Sequence, residues 1–416
     1  MGKDVLIIGG GVIGLCAARY AAIKGHRVTV IERSAAARGG CSFGNAGMIV
    51  PSHFVPLAAP GMVALGIKWM WNPESPFYIK PRFDPHLLRW GWNFWRAANP
   101  GRVARAAPLL RDLHLASRGC FEEFAASGED FGLTRKGLLM LCKTERALEE
   151  EAALALKARE LGVPAEVIGP RQIATLDPGA RVDVAGAVYF PKDCHLTPSR
   201  FMDSLQRSLE RAGVSFLWNT EIAGWRTGPS RIETVRTNHG ELTAEEFVLA
   251  GGVWSEGVAA SLGLRLPMEA GKGYSVTLPK PRESPQICSI LCEARVAVTP
   301  MDGQLRVGGT MEIAGLDESI NQRRVNGILK ALPRYYPAFQ PEDFRGLPAW
   351  SGLRPCSPDG LPYLGRARRY NNLVVATGHA MMGVSLGPIS GLLAAELLSN
   401  DNVPIDISLL NPDRYN

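Results

Sequence analysis

Gly9, Gly11 and Gly14 stand in the spacing G-x-G-x-x-G, and Glu32 follows 18 residues after the last of them. That combination can hold the phosphates and one ribose of a dinucleotide. The first glycine allows a tight turn, the second lets a phosphate approach the backbone, and the third lets a helix close onto a strand. A carboxylate at Glu32 accepts from a ribose hydroxyl and repels a 2′-phosphate, so NADP is disfavoured. Far along the chain, Arg354 is fixed between a glycine and a proline in Gly352-Leu353-Arg354-Pro355. A guanidinium there is a natural bidentate clamp for a carboxylate. Tyr274, in Gly271-Lys272-Gly273-Tyr274, could add its phenol to the same carboxylate, or be an aromatic in a strand of a second domain. His379 follows Gly378 where a loop meets the last apolar helix.

The elements that must position these groups are legible in part. Asp4 to Ile8 is a short apolar run of the kind buried on both faces of a parallel sheet. A helix is expected from Val12 to Lys24, offering unpaired N–H groups and a positive dipole end to a pyrophosphate, with Gly25 as its left-handed stop. Arg27 to Ile31 gives the second strand, ending at Glu32. A second apolar strand, Glu246 to Ala250, runs into Gly251 and Gly252 and would deliver backbone to the same ligand. Helices are expected at His86–Ala97, Arg102–Ser127, Thr144 to about Gly162, Ile168–Leu176, from Thr197 or Ser199 to Arg211, and Glu318–Leu332. Short alternating strands between Ala270 and Gly309 suit an antiparallel sheet.

Bulk properties exclude several classes. A net charge of +6 suits an anionic ligand but is too small, with acids dispersed among the bases, to argue for nucleic acid. Eight scattered cysteines, with only Cys288 and Cys292 close in sequence and no histidine beside them, read as reduced core thiols rather than a metal site. The chain runs directly into its first strand, leaving no room for a secretory segment. Outside that glycine-interrupted start, no apolar stretch of about 18 residues is expected to span a membrane. The expected location is therefore cytoplasmic. Residues 52–100 are unusual in holding Trp69, Trp71, Trp90, Trp92 and Trp95, five of the nine tryptophans, among seven prolines counted from Pro51 to Pro85. Those tryptophans either fill a domain interface or, beside Lys68, Lys80, Arg82, Arg89 and Arg96, form a peripheral patch for the inner membrane.

Several motifs in order carry a resemblance that covers nearly the whole chain. GGGVIG with VTVIER, then SFGNAGMIVPSHFVPLAAPG, GKGYSVTLP, RVAVTPMDGQLRVGGTMEIAG, WSGLRPCSPDGLPYLGR and ATGHAMMGVSLGP follow one another. The sequence resembles the small subunit of bacterial D-amino acid dehydrogenase, within the flavin amine oxidoreductases that include glycine, sarcosine and D-amino acid oxidases. The resemblance implies an α/β FAD-binding Rossmann-like domain (1–60, 195–265 and 345–416) interleaved with an α+β substrate domain built on an antiparallel sheet (61–194 and 266–344). It implies FAD contacts from Gly9, Gly11, Val12, Ile13, Gly14, Glu32 and Arg33, and from Asn45, Ala46 and Gly47 of the second segment. Ile222, Gly251, Trp254, Gly352 and Gly378 are implied too, together with Gly383, Val384 and Ser385 at the start of the last helix. Arg354 is implied as the carboxylate-binding residue, with Tyr274 as a further catalytic candidate, and His379 is implied to pack beside the flavin rather than to act as an obligate base.

The activity implied is oxidation of the Cα–N bond of a D-amino acid. The apolar Ala380-Met381-Met382, standing where related glycine oxidases carry an arginine, tilts the expectation to small apolar or cyclic substrates such as D-alanine, D-proline or hydroxy-D-proline. Gly352 stands where sarcosine oxidases attach their flavin to cysteine, so FAD is expected to be non-covalent. The electron acceptor is open between a quinone or carrier and, for a glycine- or sarcosine-type oxidase, oxygen. His53 and His195 are secondary pocket candidates, with ordinary surface or interface histidines the preferred reading. A tRNA-modifying FAD oxidase would need a concentrated basic surface, and a nicotinamide enzyme has no second fingerprint to support it.

Overall fold

Asp4–Ile8 lies at the centre of a parallel sheet, because its apolar side chains have cover on both faces. The computed structural model describes every residue except Met1, Arg38, Trp71 and Pro73. Trp71 and Pro73 of the tryptophan-rich excursion thus lie outside the described residues. On one side Asp4–Ile8 pairs with Arg27–Ile31, and on the other with Glu246–Leu249. Ser215–Leu217 extends the sheet at one edge, and Leu373–Thr377 with antiparallel Tyr363–Arg366 at the other, making six strands among the described residues.

The helix Val12–Ile23 runs back over this sheet, and Gly25 takes φ +82 just beyond its end, as expected of the stop. Against it lies the last helix, Gly383–Ser399. The crossing is close: a Cβ on Gly387 would stand 2.9 Å from Val12 Cγ2, and one on Gly391 would stand 2.4 Å from the Cys16 carbonyl carbon. Ala380–Ser399 is long and apolar enough to cross a membrane, contrary to the sequence expectation, yet most of it is buried in this core. Its apolarity follows from being surrounded by protein.

The second sheet has nine strands among the described residues, mostly antiparallel. Ala349–Cys356 forms its edge beside Glu269–Leu278, followed by Gln304–Ile313, Val296–Met301 and Cys288–Leu291. Two pairings are parallel: Cys288–Leu291 with Leu138–Cys142, and Phe77–Ile79 with Gln304–Ile313. A third, three-stranded sheet comprises Ile222–Thr227, Ile232–Thr237 and Gly240–Leu242.

Two segments depart from the interleaving expected from the sequence. Ala349–Cys356, placed within 345–416 on the nucleotide side, hydrogen-bonds into the second sheet. Pro100–Ala126, placed within 61–194, packs its apolar stripe (Leu109, Leu110, Leu113, Phe121) into the core shared by the first and last helices. Its His114 and Ser117 bond to Ser385 Oγ and the Ser385 carbonyl at 2.9 and 2.6 Å. Elsewhere the helices fall close to expectation. Thr144 caps Glu145–Glu160 through the Ala147 amide, and Pro198 opens Pro198–Arg211. The expected helix at 168–176 is shorter, Pro170–Leu176, because Glu166–Ile168 joins the second sheet. The one expected from Glu318 starts at Gln322, because Asp317 and Ser319 turn inward to Lys272.

Candidate active site

A cleft of about 650 Å³ runs between the two large sheets. At one end the glycine turn forms its floor. Gly9 has φ +110, and a Cβ on Gly14 would stand 1.9 Å from the Gly9 carbonyl oxygen, so helix and strand meet only over glycine. The helix Val12–Ile23 carries no acid in its first turn, so its positive end stays available to an anion. Glu32 accepts from the amides of Gly10 and Ser34 at 2.8 and 2.9 Å, which fixes the carboxylate at the edge of the turn. Arg33 stacks on Trp254, its guanidinium carbon 3.6 Å from the ring centroid, and both line the cleft with Ile222 and Gly251.

Residues 39–45 cross the cleft and are clamped to the second sheet. Arg306 Nη1 donates to the carbonyls of Phe43 and Asn45, Ser275 Oγ donates to Gly44, and Trp350 Nε1 donates to Gly39. Ser42 Oγ, on the same segment, accepts the amide of Val12 at the helix start. Ser42, Cys41, Phe43, Arg306 and Trp350 were not foreseen individually. Phe43 lies within the quoted SFGNAGMIVP segment, Arg306 within RVAVTPMDGQLRVGG and Trp350 at the start of WSGLRP, but nothing in those motifs singles them out.

At the other end stands the edge strand Ala349–Cys356. Leu353 and Pro355 line the cleft. Arg354, on the opposite side of the strand, lies over Gly273: a Cβ there would meet Arg354 Nη2 at 2.0 Å. Its Nη1 donates to the Thr310 carbonyl at 2.6 Å. Thr310 has φ +68, where the register between Glu269–Leu278 and Gln304–Ile313 slips by a bulge. A left-handed, β-branched residue costs about 1–2 kcal/mol, and here the distortion turns a carbonyl onto the arginine. Burial draws the Arg354 guanidinium down from its ordinary pKa, opposed by the neighbouring Cys41 and Cys356 thiols. Among the described residues no carboxylate lies within ion-pair distance of it.

Tyr274 is not brought to Arg354. Gly271 faces Arg354 across the strand pair, and Tyr274, three residues on, projects from the other face. Its phenol donates to Glu312 in the second core. The expectation that both would bind one carboxylate therefore does not hold in this geometry. Gly273 is the residue of that motif on which the Arg354 guanidinium lies.

His379 lines the cleft, with Nε2 2.8 Å from Ser390 Oγ and Nδ1 buried without a partner. Burial lowers its pKa to about 3, so the imidazole is neutral. Of the other expected contacts, Gly9, Gly11, Val12, Ile13, Asn45, Gly383 and Val384 line the cleft. Gly14, Ala46, Gly47, Gly352, Gly378 and Ser385 do not, and act behind it. Gly378 takes φ +78 against Tyr363, Gly352 and Gly44 lie under Trp350, Gly47 packs on the Leu196 carbonyl, and Ala46 packs on the first core. Ser385 Oγ accepts the Val50 amide. Of Ala380, Met381 and Met382, only Ala380 faces the cleft; Met381 is exposed, and Met382 lies against His114. His53 and His195 are held neutral by burial, with pKa lowered to about 4 in each. All eight cysteines are free.

These groups fit FAD. The glycine floor leaves no Cβ where a pyrophosphate must approach, Glu32 stands at the ribose position, and His379 lines the cleft with its Nδ1 buried and unpartnered. Comparison with known proteins agrees. Residues 4–397 match the family described as FAD dependent oxidoreductase. A D-amino acid dehydrogenase of Bradyrhizobium diazoefficiens is 33% identical over 99% of this chain and 98% of its own length. One of Granulibacter bethesdensis is 33% identical over 99% of both chains. The crystal structure of glycine oxidase from Geobacillus kaustophilus superposes with a TM-score of 0.80 at 25% identity, covering 100% of this chain and 99% of that one. By sequence and by fold, then, the chain belongs to the FAD dependent oxidoreductase family, with FAD as its cofactor.

Proposed function

We propose that this enzyme oxidises small apolar or cyclic D-amino acids, such as D-alanine, D-proline or hydroxy-D-proline, to imino acids. The observation that carries this reading is Arg354: a half-buried guanidinium beside the cleft, held by a carbonyl and without a carboxylate partner among the described residues. A buried cation is costly unless it is paired. A substrate carboxylate would complete it with two charge-assisted hydrogen bonds. The similarity to D-amino acid dehydrogenases supports the D configuration.

Bound FAD supplies a hydride acceptor for the Cα hydrogen. Gly9, Gly11, Glu32 and the Arg33–Trp254 stack would hold its ADP half. Gly383 and Val384, at the positive end of the last helix, would face its ring. Arg354 fixes the carboxylate and so the direction of the Cα–H bond, and this positioning supplies most of the catalytic effect. The amine enters neutral, and the uncharged His379 adds no charge beside it. Leu353 and Pro355, which face away from Arg354, and Ala380 make the wall of the cleft apolar. The amino acid loses a hydride and a proton to give the imine; water then yields a 2-oxo acid and ammonia, unless the imine is cyclic. FAD is held without a covalent bond, and acid precipitation should release all of it into the supernatant.

Electrons pass on to a quinone or carrier in this reading. Oxygen as acceptor is the second reading, favoured by the similarity to a glycine oxidase. The test is anaerobic bleaching of the flavin with D- and L-amino acids, glycine and sarcosine, followed by admission of air. Bleaching by D-amino acids with slow reoxidation is expected. Bleaching by glycine or sarcosine alone would overturn the substrate assignment, and rapid peroxide formation would overturn the acceptor.

A further inference from the structure

Phe83 is 95% exposed, and Leu88, Trp92 and Trp95 are 64%, 58% and 57% exposed. The last three sit on one helix, Pro85–Ala97, at spacings of four and three, which places them along a single face. The Trp92 and Trp95 rings lie 5.0 Å apart. Arg89 and Arg96, seven residues apart and both exposed, flank the stripe on one side, and the helix contains no acid.

The helix is firmly seated. On its inner face Trp90 is buried with Met311, Ile313, Cys356 and Ala380, and Trp90 Nε1 donates to the Cys356 carbonyl at 2.9 Å. At its start Asp84 caps the His86 amide, Arg82 bridges Asp84 and Glu269, and His86 bonds Glu256 and Glu269. Asp84, His86 and Glu269 are close enough together to hold a metal ion, but Arg82 already neutralises both carboxylates. Of the basic residues expected in a surface patch, Arg82 is therefore spent inside the protein, whereas Arg89 and Arg96 face outward. Two indoles and a leucine are thus held in water by an anchored helix, with their own cationic border.

We propose that this face docks on an anionic lipid surface. The indoles, Leu88 and Phe83 would enter the headgroup region, and Arg89 and Arg96 would meet lipid phosphates. A second copy of the chain fits less well, because a two-fold contact through this stripe would bring the arginines towards their own counterparts. Docking here places a bilayer on the far side of the helix from Cys356, two residues from Arg354.

The test is sedimentation of the FAD-loaded protein with vesicles of phosphatidylcholine alone or mixed equally with phosphatidylglycerol. Binding to the mixed vesicles is expected, weakened by salt. The double variant Trp92→Ser/Trp95→Ser should lose at least tenfold in affinity. Arg89→Gln/Arg96→Gln should lose the preference for anionic vesicles, roughly fivefold for each arginine. Flavin content and dye-coupled turnover of both variants should match the parent, which separates lost docking from misfolding. Absence of binding to either vesicle, or binding that survives the tryptophan substitutions, would overturn the proposal. So would a concentration-dependent dimer that those substitutions abolish, since the stripe would then belong to a second copy.

Discussion

The two ends of the cleft are built in opposite ways. At the glycine end the geometry is a property of the backbone: Gly9 turns, Gly14 admits the helix, and Glu32 is tied by two amides of its own neighbourhood. At the arginine end it is a property of distant side chains brought together by a sheet. Arg354 rests on Gly273 and donates its hydrogen bond to the Thr310 carbonyl, 81 and 44 residues away in sequence. The first end satisfies its polar groups locally. The second keeps a left-handed threonine and, among the described residues, a cation without an acid.

That difference can be broken from either side. The largest effect is expected at the glycine end. In Gly14→Ala the new methyl would stand 1.9 Å from the Gly9 carbonyl oxygen, and backbone cannot yield as a side chain can. The purified variant should lack flavin, read as loss of the visible absorbance; a variant retaining full flavin would show that the helix can move. A smaller and different effect is expected from Gly273→Ala. Its methyl meets the end of a flexible side chain, so flavin should stay bound while the guanidinium shifts. KM for the amino acid should rise several-fold with kcat less changed, and an unchanged KM would remove Gly273 from the site.

The smallest effect is expected where the substrate end is tied down. Hydrogen bonds donated to Glu256 and Glu269 raise the pKa of His86 to about 10. An unfolded histidine titrates near 6.5, so the charged His86 contributes stability that is fully present below about pH 6.5 and is lost as pH rises towards 10. His86 is partly exposed and solvent screens the pair, so the gain is modest. Melting temperatures from pH 6 to 10 should fall more steeply for the parent than for His86→Gln. Parallel profiles would show that the tie contributes nothing.

The same contrast explains what could be read from the sequence. The glycine fingerprint, Arg27–Ile31 and Glu32 were legible because they fix one another within the first 34 residues. Arg354 stood out as a candidate clamp because glycine and proline lie on either side of it in its motif. Its cradle did not. Tyr274 stood out in its motif as the residue with chemistry, whereas the alternation of the strand delivers Gly273 to the arginine and sends Tyr274 to Glu312. Register between strands far apart in sequence decides that, and a single motif does not encode it. Pro100–Ala126 followed the same rule. Its helical spacing was plain, but which core its apolar stripe joins depends on the last helix.

The most direct measurement is anaerobic reduction of the bound flavin by a D-amino acid across a range of concentrations, in the parent and in Arg354→Ala. With the clamp removed, flavin content should be unchanged and the ratio of limiting rate to half-saturating concentration should fall roughly 10- to 150-fold, the loss of one charge-assisted interaction. Parent-like saturation in Arg354→Ala would contradict the assignment of the substrate carboxylate to this residue.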